Sequence, residues 1–196
     1  MTFINYQSKE INCKIIYFGP ARSGKTRSLK YIYEQTKPEN RGEMITLQAQ
    51  DESTLYFDFI PLFLGEIRGF RARLHLYAMP GAVGSSLNQR LILKGLDGIV
   101  FVADSSPDRL EENIDCLDSL EDILIGLNKN PSDMPMVFQF NKQDLPGAMP
   151  VDKLSSLLNL RKAPQYPSNA RGGNGVLPVL KEISKRVLSG LGNIGD

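Results

Sequence analysis

Continuous apolar runs and segments of helical periodicity alternate along most of this chain. Short uninterrupted apolar runs are typical of strands that are buried on both faces of a parallel sheet. Longer segments whose apolar residues recur at intervals of three and four predict amphipathic helices. The runs lie at 11–18, 98–104 and 136–140, and the helical segments lie at 25–36, 107–127 and 176–191.

One part of the chain departs from this alternation of strands and helices. Residues 55–67 and 70–78 alternate or run apolar, and Arg68-Gly69 between them suits a tight turn, so a long hairpin is predicted. The polar, weakly patterned residues 38–53 before it are predicted to form a mobile loop. Shorter predicted elements are a strand over 2–6, helices over 87–93 and 151–158, and a last strand with its loop over 166–170.

This order of elements predicts one α/β domain over residues 1–196. Strands that are connected through helices form parallel sheets covered on both faces, and the hairpin supplies one antiparallel edge strand. We therefore expect a three-layer α/β/α fold with a mostly parallel sheet and a short extra N-terminal strand. Ligands bind such sheets in the loops at the carboxyl ends of the strands.

Composition and charge exclude several classes of function. A formal net charge of +1 predicts no surface for nucleic acid, and no apolar run approaches the length of a membrane span. The N-terminus has no signal-peptide pattern and neither end has a lipidation motif, so we expect a cytoplasmic protein without a stable membrane anchor. The two cysteines, Cys13 and Cys116, form no zinc-binding pair and suit a reducing compartment.

The stretch from Gly19 to Thr26 has the spacing G-x-x-x-x-G-K-T and lies between a predicted strand and a predicted helix. This is the context in which such a loop binds phosphate. Gly19 and Gly24 allow the backbone to curl until its N–H groups point inward, and the helix N-terminus adds partial positive charge. Lys25 can reach the terminal phosphates, and the Thr26 hydroxyl can bind Mg²⁺. The stretch therefore predicts a nucleotide phosphate loop.

A second motif selects the base. Asn141-Lys142-Gln143-Asp144 follows the predicted strand 136–140, at the same edge of the sheet as the phosphate loop. The Asp144 carboxylate can accept hydrogen bonds from the N1–H and the exocyclic amino group of guanine, a pair of donors that adenine lacks. Asn141 would brace the loop, and the aliphatic stem of Lys142 would cover the purine face. The two motifs together predict a guanine nucleotide.

These motifs resemble those of the Ras-superfamily small GTPases. More narrowly, the chain resembles the MglA-type bacterial polarity GTPases along nearly its whole length. Distinctive strings that carry this resemblance include Phe57-Asp58-Phe59, Leu64-Gly65-Glu66-Ile67-Arg68-Gly69-Phe70 and Phe101-Val102-Ala103-Asp104-Ser105. The resemblance implies a Ras-like G domain that binds GTP or GDP together with Mg²⁺.

The resemblance also implies the residues of the nucleotide site. Asn169 and Ala170 stand where the family has its third guanine-contacting loop, with the Ala170 N–H offered to the guanine carbonyl. Thr26 and Thr54 would be the hydroxyl ligands of Mg²⁺, and Gly81 would give its N–H to a γ-phosphate. The residues expected at the nucleotide are Gly19, Ala21, Arg22, Ser23, Gly24, Lys25, Thr26, Arg27, Thr54, Gly81, Asn141, Lys142, Asp144, Asn169 and Ala170.

For biological role, the resemblance implies a monomeric switch that is recruited to a cell pole and controls motility or polarity. The implied partners are a roadblock-fold, MglB-like regulator and response-regulator-like polarity proteins. No nucleic-acid partner is expected.

The chain departs from its family at positions that bear on hydrolysis. Ala21 replaces a glycine of the phosphate loop, Ser53 replaces the intrinsic arginine finger of MglA-type proteins, and Ala82 replaces the glutamine that orients the attacking water. The Asp-x-x-Gly motif is here Ala78-Met79-Pro80-Gly81, so its magnesium-linked carboxylate is absent, as it is in MglA-type proteins. Arg22 is the one nearby candidate for a replacement cation, and its more ordinary role would be a solvated surface residue.

Two classes of function therefore stand. One is a GTP-hydrolysing switch, cycled by a roadblock-fold GTPase-activating protein. The other is a mostly GTP-bound adaptor with weak hydrolysis, which the three substituted catalytic positions favour. A nucleotide kinase is less favoured, because no arginine-rich lid segment follows the phosphate loop and the guanine motif would be unexplained.

Overall fold

The computed structural model describes residues 3–47, 57–79 and 87–190. The strands of that part of the chain are Phe3–Asn5 (β1), Glu10–Phe18 (β2), Ile45–Leu47 (β3), Phe57–Ile67 (β4), Phe70–Ala78 (β5), Gly98–Asp104 (β6), Met136–Asn141 (β7) and Gln165–Pro167 (β8). Its α-helices are Lys25–Gln35 (α1), Leu87–Leu93 (α2), Leu110–Gly126 (α3), Val151–Leu158 (α4) and Val176–Ser189 (α5). Short 3₁₀ turns lie at Pro38–Asn40, Pro107–Arg109 and Pro131–Asp133.

The strands form one eight-stranded sheet in the spatial order β3-β4-β5-β2-β6-β7-β8, and β1 pairs with the first residues of β2. Strands β5, β2, β6, β7 and β8 are parallel to one another. The pairs β3 with β4, β4 with β5, and β1 with β2 are antiparallel. Because β2, β6 and β7 run in the same direction, their carboxyl ends bring the phosphate loop and the base motif to one edge.

Two apolar layers enclose the sheet, one on each face. Ile11 and Ile15 of β2 point to one face, where they belong to the same core as buried residues of α1 and α5. Ile16 and Phe18 of the same strand point to the other face and join residues of α2, α3 and α4. Every residue of β6 is buried, as expected for a strand that is covered on both sides. The predicted three-layer α/β/α fold with a mostly parallel sheet is confirmed.

The prediction of a mobile loop over 38–53 is wrong for its middle part. Ile45–Leu47 pairs antiparallel with the start of β4 and forms the edge strand β3. Just before it, the Gly42 N–H donates to the Pro61 carbonyl oxygen at 2.9 Å. The segment is thus fastened to the hairpin. Ile45-Thr46-Leu47 does alternate apolar and polar residues, but three residues are too few to predict a strand, and the pairing depends on a partner strand elsewhere in the chain.

The other element boundaries differ from the prediction by small amounts. The helix that was expected over 107–127 begins with the 3₁₀ turn Pro107–Arg109 and continues as α3. Residues 55–56 of the predicted hairpin and residue 191 of the predicted last helix lie outside the described residues. Within the described ranges, no helix combines the length and the apolar composition that a membrane span requires.

The junction between β8 and α5 depends on a glycine. Gly175 precedes α5 with a φ of 77°. A Cβ at this position would lie 2.2 Å from the carbonyl oxygen of Pro167, at the end of β8. Gly147, in the loop after β7, has a φ of 79°, but a Cβ there would meet no atom within 4 Å. The two glycines therefore have nearly the same φ and differ in crowding.

We expect Gly175→Ala to destabilise the protein more than Gly147→Ala. Both substitutions place a Cβ at positive φ, which costs about 1–2 kcal/mol. Only the first adds a clash with backbone, which should raise its cost by about 1–3 kcal/mol. Chemical denaturation at a fixed nucleotide concentration measures both free energies of unfolding. Equal losses for the two variants would contradict the crowding at Pro167.

Candidate nucleotide-binding site

The phosphate loop lies between β2 and α1, and close contacts require two of its glycines. Gly19 has a φ of 148°, and a Cβ there would lie 2.2 Å from the carbonyl oxygen of Val102 in β6. Gly24 has a φ of 110°, and a Cβ there would lie 2.1 Å from Nδ2 of Asn141 in β7. The loop is therefore packed directly on the ends of two neighbouring strands, and a larger residue at either position would displace it.

Lys25 begins α1, and its side chain folds back over the loop. Its Nζ donates to the carbonyl oxygens of Gly19 at 2.8 Å and Pro20 at 2.6 Å, and only 6% of the residue is exposed. This burial lowers the pKa of Lys25 to about 8; the nearby Cys116 thiol opposes the shift and the Arg109 guanidinium adds to it. The loop thus holds a poorly solvated ammonium group, which anionic phosphate would stabilise.

Thr26 contacts a buried carboxylate that no sequence motif had marked. Thr26 Oγ1 donates to Oδ2 of Asp58 at 2.5 Å, and Thr46 Oγ1 donates to Oδ1 of the same residue at 2.8 Å. Asp58 lies in β4 and is 1% exposed. Its cross-strand partner in β5 is Ala78, the position where Ras-like proteins have their magnesium-linked aspartate. The adjacent strand therefore carries a carboxylate directly opposite the position where β5 has Ala78.

This cluster has the donor chemistry of a magnesium site. Mg²⁺ prefers oxygen ligands, and the Thr26 hydroxyl beside the Asp58 carboxylate supplies them. Among the described residues, no group of three or more His, Cys, Asp and Glu side chains could hold a metal ion. A cation at Thr26 would thus need water or phosphate oxygens as further ligands, as is usual for Mg²⁺. Thr54, the second predicted ligand, lies outside the described residues.

Asn141, at the end of β7, connects the phosphate loop to the loop after β8 through a side chain that is almost fully buried. Its Nδ2 donates to the Ser23 carbonyl oxygen of the phosphate loop at 2.7 Å. Its Oδ1 accepts from the Ala170 N–H at 2.8 Å and from Ser168 Oγ at 3.1 Å. A guanine carbonyl that bound the Ala170 N–H would have to share that donor with Asn141.

The other residues predicted to contact the base have different surroundings. Lys142 has a left-handed φ of 67°, and its Nζ donates to Oδ2 of the buried Asp104 at 2.5 Å. Asp144 is exposed at the edge of the sheet. Asn169 Oδ1 accepts from the backbone N–H groups two and three residues later, so this side chain shapes its own turn. Asp144 is therefore accessible to a base, whereas Asn169 is already engaged.

The remaining predicted residues line or flank the phosphate loop. The Ala21 carbonyl oxygen accepts from Arg109 at 2.7 Å, and Arg22 is exposed with a φ of 60°. Ser23 is buried, and among the described residues its Oγ has no hydrogen-bond partner. The Arg27 guanidinium is exposed and donates to a backbone carbonyl oxygen of the loop after β8 at 3.3 Å. Ala21 and Ser23 thus contribute backbone contacts, and Arg22 and Arg27 contribute positive charge.

A surface cavity at the start of α1 gathers several of these groups. It is lined by Arg22, Gly24, Lys25, Thr26, Arg27 and Lys30. Lys30 was not predicted, because it lies outside the motif and reaches the cavity only through the pitch of α1. Gly81 lies outside the described residues, as do Ser53 and Ala82, the positions that were predicted to bear on hydrolysis.

A phosphate loop, a base motif and a hydroxyl–carboxylate cluster at the carboxyl edge of this sheet define a small P-loop GTPase of the Ras-like class. The chain is 48% identical over 191 residues to the mutual gliding-motility protein MglA of Myxococcus xanthus, and the match covers 97% of this chain and 98% of that protein. It therefore belongs to the MglA-type small GTPases, and the resemblance inferred from its sequence is confirmed. No protein-family model matches the chain.

We expect nucleotide binding to take up protons near pH 8. Because the pKa of Lys25 is about 8, about half of these side chains are neutral at that pH, and phosphate should raise the pKa and protonate them. Uptake should be about half a proton at pH 8 and about a tenth at pH 7. Isothermal titration of GDP in buffers of different ionisation enthalpy measures this quantity.

The matched control for this experiment is Lys30→Gln. This variant removes an exposed ammonium from the same cavity and should leave proton uptake at pH 8 unchanged. A binding heat that does not depend on the buffer at pH 8 would contradict a deprotonating Lys25.

Proposed function

We propose that this chain is a GTP-binding regulator of cell motility or polarity that stays largely GTP-bound and hydrolyses GTP slowly by itself. The proposal rests on a contrast between the groups for binding and the groups for hydrolysis. Groups suited to phosphate and cation binding are assembled around Lys25 and Asp58, whereas Ser53 and Ala82 replace the groups that MglA-type proteins use for hydrolysis. The motility role rests on the similarity to a protein that is named for gliding motility.

Binding of the triphosphate is supported by the charge of the loop. Lys25 is poorly solvated, and its hydrogen bonds go only to carbonyl oxygens within the described residues, which neutralise none of its charge. Phosphate oxygens would supply the missing negative charge. Asp144, exposed at the end of the base motif, would select guanine by accepting from its two adjacent donors.

Mg²⁺ would be held by the hydroxyl groups of Thr26 and Thr54, with Asp58 accepting hydrogen bonds from the water ligands of the ion. When bound, Mg²⁺ would neutralise charge on the β- and γ-phosphates. Because the Thr26 O–H donates to Asp58, the lone pairs of its oxygen are left for a cation. Asp58 would thus orient Thr26 as well as attract the ion.

Slow hydrolysis follows from what the substituted positions lack. An arginine finger is worth roughly 10³ to 10⁵ in rate, or about 4 to 7 kcal/mol of barrier. Ser53 carries no positive charge and Ala82 has no group that could orient a water. Arg22, exposed in the phosphate loop, is the candidate cation that could partly replace the finger. Binding groups are intact, so affinity for GTP should persist while turnover is low.

In this proposal the GTP form acts as an adaptor in the cytoplasm and is recruited to a cell pole. A roadblock-fold, MglB-like regulator and response-regulator-like polarity proteins are the proposed partners. The alternative is an ordinary switch whose hydrolysis such a regulator accelerates.

We expect purified protein to retain GTP and to release phosphate only slowly in a single-turnover assay. The combined variant Ala21→Gly, Ser53→Arg and Ala82→Gln should raise the rate by about 10³-fold, because it restores a cation and a water-orienting group. A second triple variant carries Ser53→Lys in place of Ser53→Arg. Lysine supplies the charge without the planar, two-pronged guanidinium group, so the increase in hydrolysis rate should be smaller. Fast phosphate release by the unmodified protein would overturn the proposal of a long-lived GTP state. If Arg22→Ala slows phosphate release further, that arginine is the replacement cation.

Asp58→Asn should remove much of the magnesium dependence of GTP binding. Loss of a carboxylate beside a metal ligand typically weakens metal affinity by about 10- to 100-fold, while GTP affinity in excess EDTA should change little. Titrations of fluorescent GTP at graded Mg²⁺ concentrations measure both quantities. Asp152→Asn, an exposed change on α4, is the control. The same magnesium midpoint in Asp58→Asn and the unmodified protein would assign the carboxylate a purely structural role.

A further inference from the structure

A groove between α3 and α4 exposes apolar side chains on the face of the sheet opposite α1 and α5. It encloses about 350 Å³, and its apolar lining residues include Ile114, Leu117, Met136, Phe138, Leu157 and Leu160. Met136 and Phe138 belong to β7 and are buried, so they form the floor. Ile114, Leu157 and Leu160 belong to the two walls and are 36%, 42% and 80% exposed. Several apolar side chains that are exposed together mark a surface where a partner could bind.

The wall that α3 forms is acidic. The helix carries six carboxylates and neither lysine nor arginine. Two of them, Glu112 and Glu121, are paired with arginines. The other four are exposed and form no ion pair with any described residue: Glu111, Asp115, Asp118 and Asp122. Carboxylates that are four residues apart on a helix lie side by side and repel each other. Positive charge from a partner would relieve this repulsion.

The groove lies away from the nucleotide site. Met136 is the first residue of β7, and Asn141, which contacts the phosphate loop, is the last. A strand rises about 3.3 Å per residue, so these two residues are roughly 16 Å apart. The residues that line the groove belong neither to the phosphate loop nor to the base motif. An occupant of the groove would therefore meet the same surface whichever nucleotide is bound.

The chemistry of the groove argues against several kinds of occupant. Acidic α3 would repel the phosphates of nucleic acids and of anionic lipids. Small-molecule sites hold their ligand with a few buried polar groups, whereas the polar side chains that line this groove, Asp118, Glu121 and Arg161, are all partly or fully exposed. An extended peptide would need an open strand edge, but the walls here are side chains of two helices.

A second copy of the chain is also a poor fit. Its basic helix, α5, carries lysine and arginine side chains, but the apolar stripe of that helix is already buried in its own core. The occupant that remains is a helix of another protein, because a helix can place apolar side chains between two others and present charges beside them.

We propose that the α3–α4 groove docks a basic amphipathic helix of a partner protein, independently of the bound nucleotide. Ile114 and Glu121, which line the groove on α3, are seven residues apart, or about 10.5 Å along the helix axis. This is the length of two helical turns, so the docked helix would carry apolar anchors at positions i, i+3 or i+4, and i+7. Lysine or arginine on its flank would face the exposed carboxylates of α3. This inference goes beyond the proposed nucleotide function and does not depend on it.

The test selects binders from a displayed library of amphipathic helices of about 20 residues, which is long enough for an isolated helix to form. The apolar positions vary among Leu, Ile, Met and Phe, and the flanking positions vary among Lys, Arg, Glu and Gln. The GDP-bound protein is the target of the selection. Dissociation constants of the most enriched peptides are then measured by fluorescence anisotropy, with GDP and with a non-hydrolysable GTP analogue.

Matched variants locate the binding surface. Leu157→Gln combined with Leu160→Gln removes exposed apolar side chains and keeps residues that favour a helix. Leu177→Gln is the control, because this leucine is 41% exposed and lies on α5, at the other face of the sheet. Asp118→Asn removes one unpaired carboxylate of the groove, and Asp152→Asn removes an exposed carboxylate of α4 outside it.

We expect the enriched peptides to carry basic flanks and to bind the two nucleotide forms with dissociation constants within about twofold of each other, since no coupling to the nucleotide is proposed. The double leucine variant should weaken binding by more than about tenfold, because two apolar contacts are lost. Asp118→Asn should weaken it by about two- to fivefold, as for an exposed ion pair. Leu177→Gln and Asp152→Asn should leave binding unchanged.

Several results would overturn the inference: no enrichment, enriched peptides without basic flanks, binding that survives the double leucine variant, or a clear preference for one nucleotide form. Self-association of the unmodified protein that the double leucine variant abolishes would assign the groove to a second copy of the chain and would also overturn it. GTP affinity is measured on the same samples. Failure of the unmodified protein to bind GTP would refute the proposed function and leave the docking of the helix to be judged by the peptides alone.

Discussion

The side-chain amide of Asn141 is the contact on which the nucleotide site depends. It joins the phosphate loop, through the Ser23 carbonyl, to the loop after β8, through the Ala170 N–H. It also lies where a side chain at position 24 would have to be, which is why that position needs glycine. Loss of such a buried partner leaves groups unsatisfied at a cost of about 1–3 kcal/mol each. The phosphate end and the base end of the site are therefore held in one geometry by a single residue of β7.

Two buried charges give the site its chemical character. The Lys25 ammonium donates only to uncharged carbonyl oxygens, and the Asp58 carboxylate accepts from the Thr26 and Thr46 hydroxyls. Buried charges without a partner of opposite sign are costly, and they are commonly found where a ligand supplies the compensation. A bound phosphate would supply the negative charge that Lys25 lacks, and the cation that accompanies it would supply the positive charge that Asp58 lacks. This makes the pair more informative about function than either residue in isolation.

A second set of charged residues contacts both the base motif and the phosphate loop. Asp104, at the end of β6, is paired with Lys142 of the base motif and lies beside Arg109, which holds the Ala21 carbonyl. Asn113 of α3 fixes the backbone of Asp104 by accepting from its N–H and donating to its carbonyl oxygen. The loop after β6 thus contacts both loops that are predicted to bind the nucleotide, although none of its residues belongs to a recognised nucleotide motif.

The features that the sequence by itself determined are local ones. Gly19 to Thr26 and Asn141 to Asp144 predict a phosphate loop and a base motif through spacing within a few residues, and the continuous apolar run of β6 specifies a strand that is buried on both faces. Amino-acid identity alone also shows that Ser53 is not an arginine and Ala82 is not a glutamine, which is the basis for expecting slow hydrolysis.

Only the tertiary structure decided the features that depend on pairing between distant segments. Strand β3 exists because β4 offers it a partner, and Asp58 was not recognisable as a site residue until it was seen beside Thr26 and opposite Ala78. Arg109 contacts a carbonyl group 88 residues away in the chain. Side-chain periodicity reports which face of an element is buried, but it carries no information about which strand will lie alongside. That choice is made by the packing of the two apolar layers on the sheet, and the chemistry at its edge follows from it.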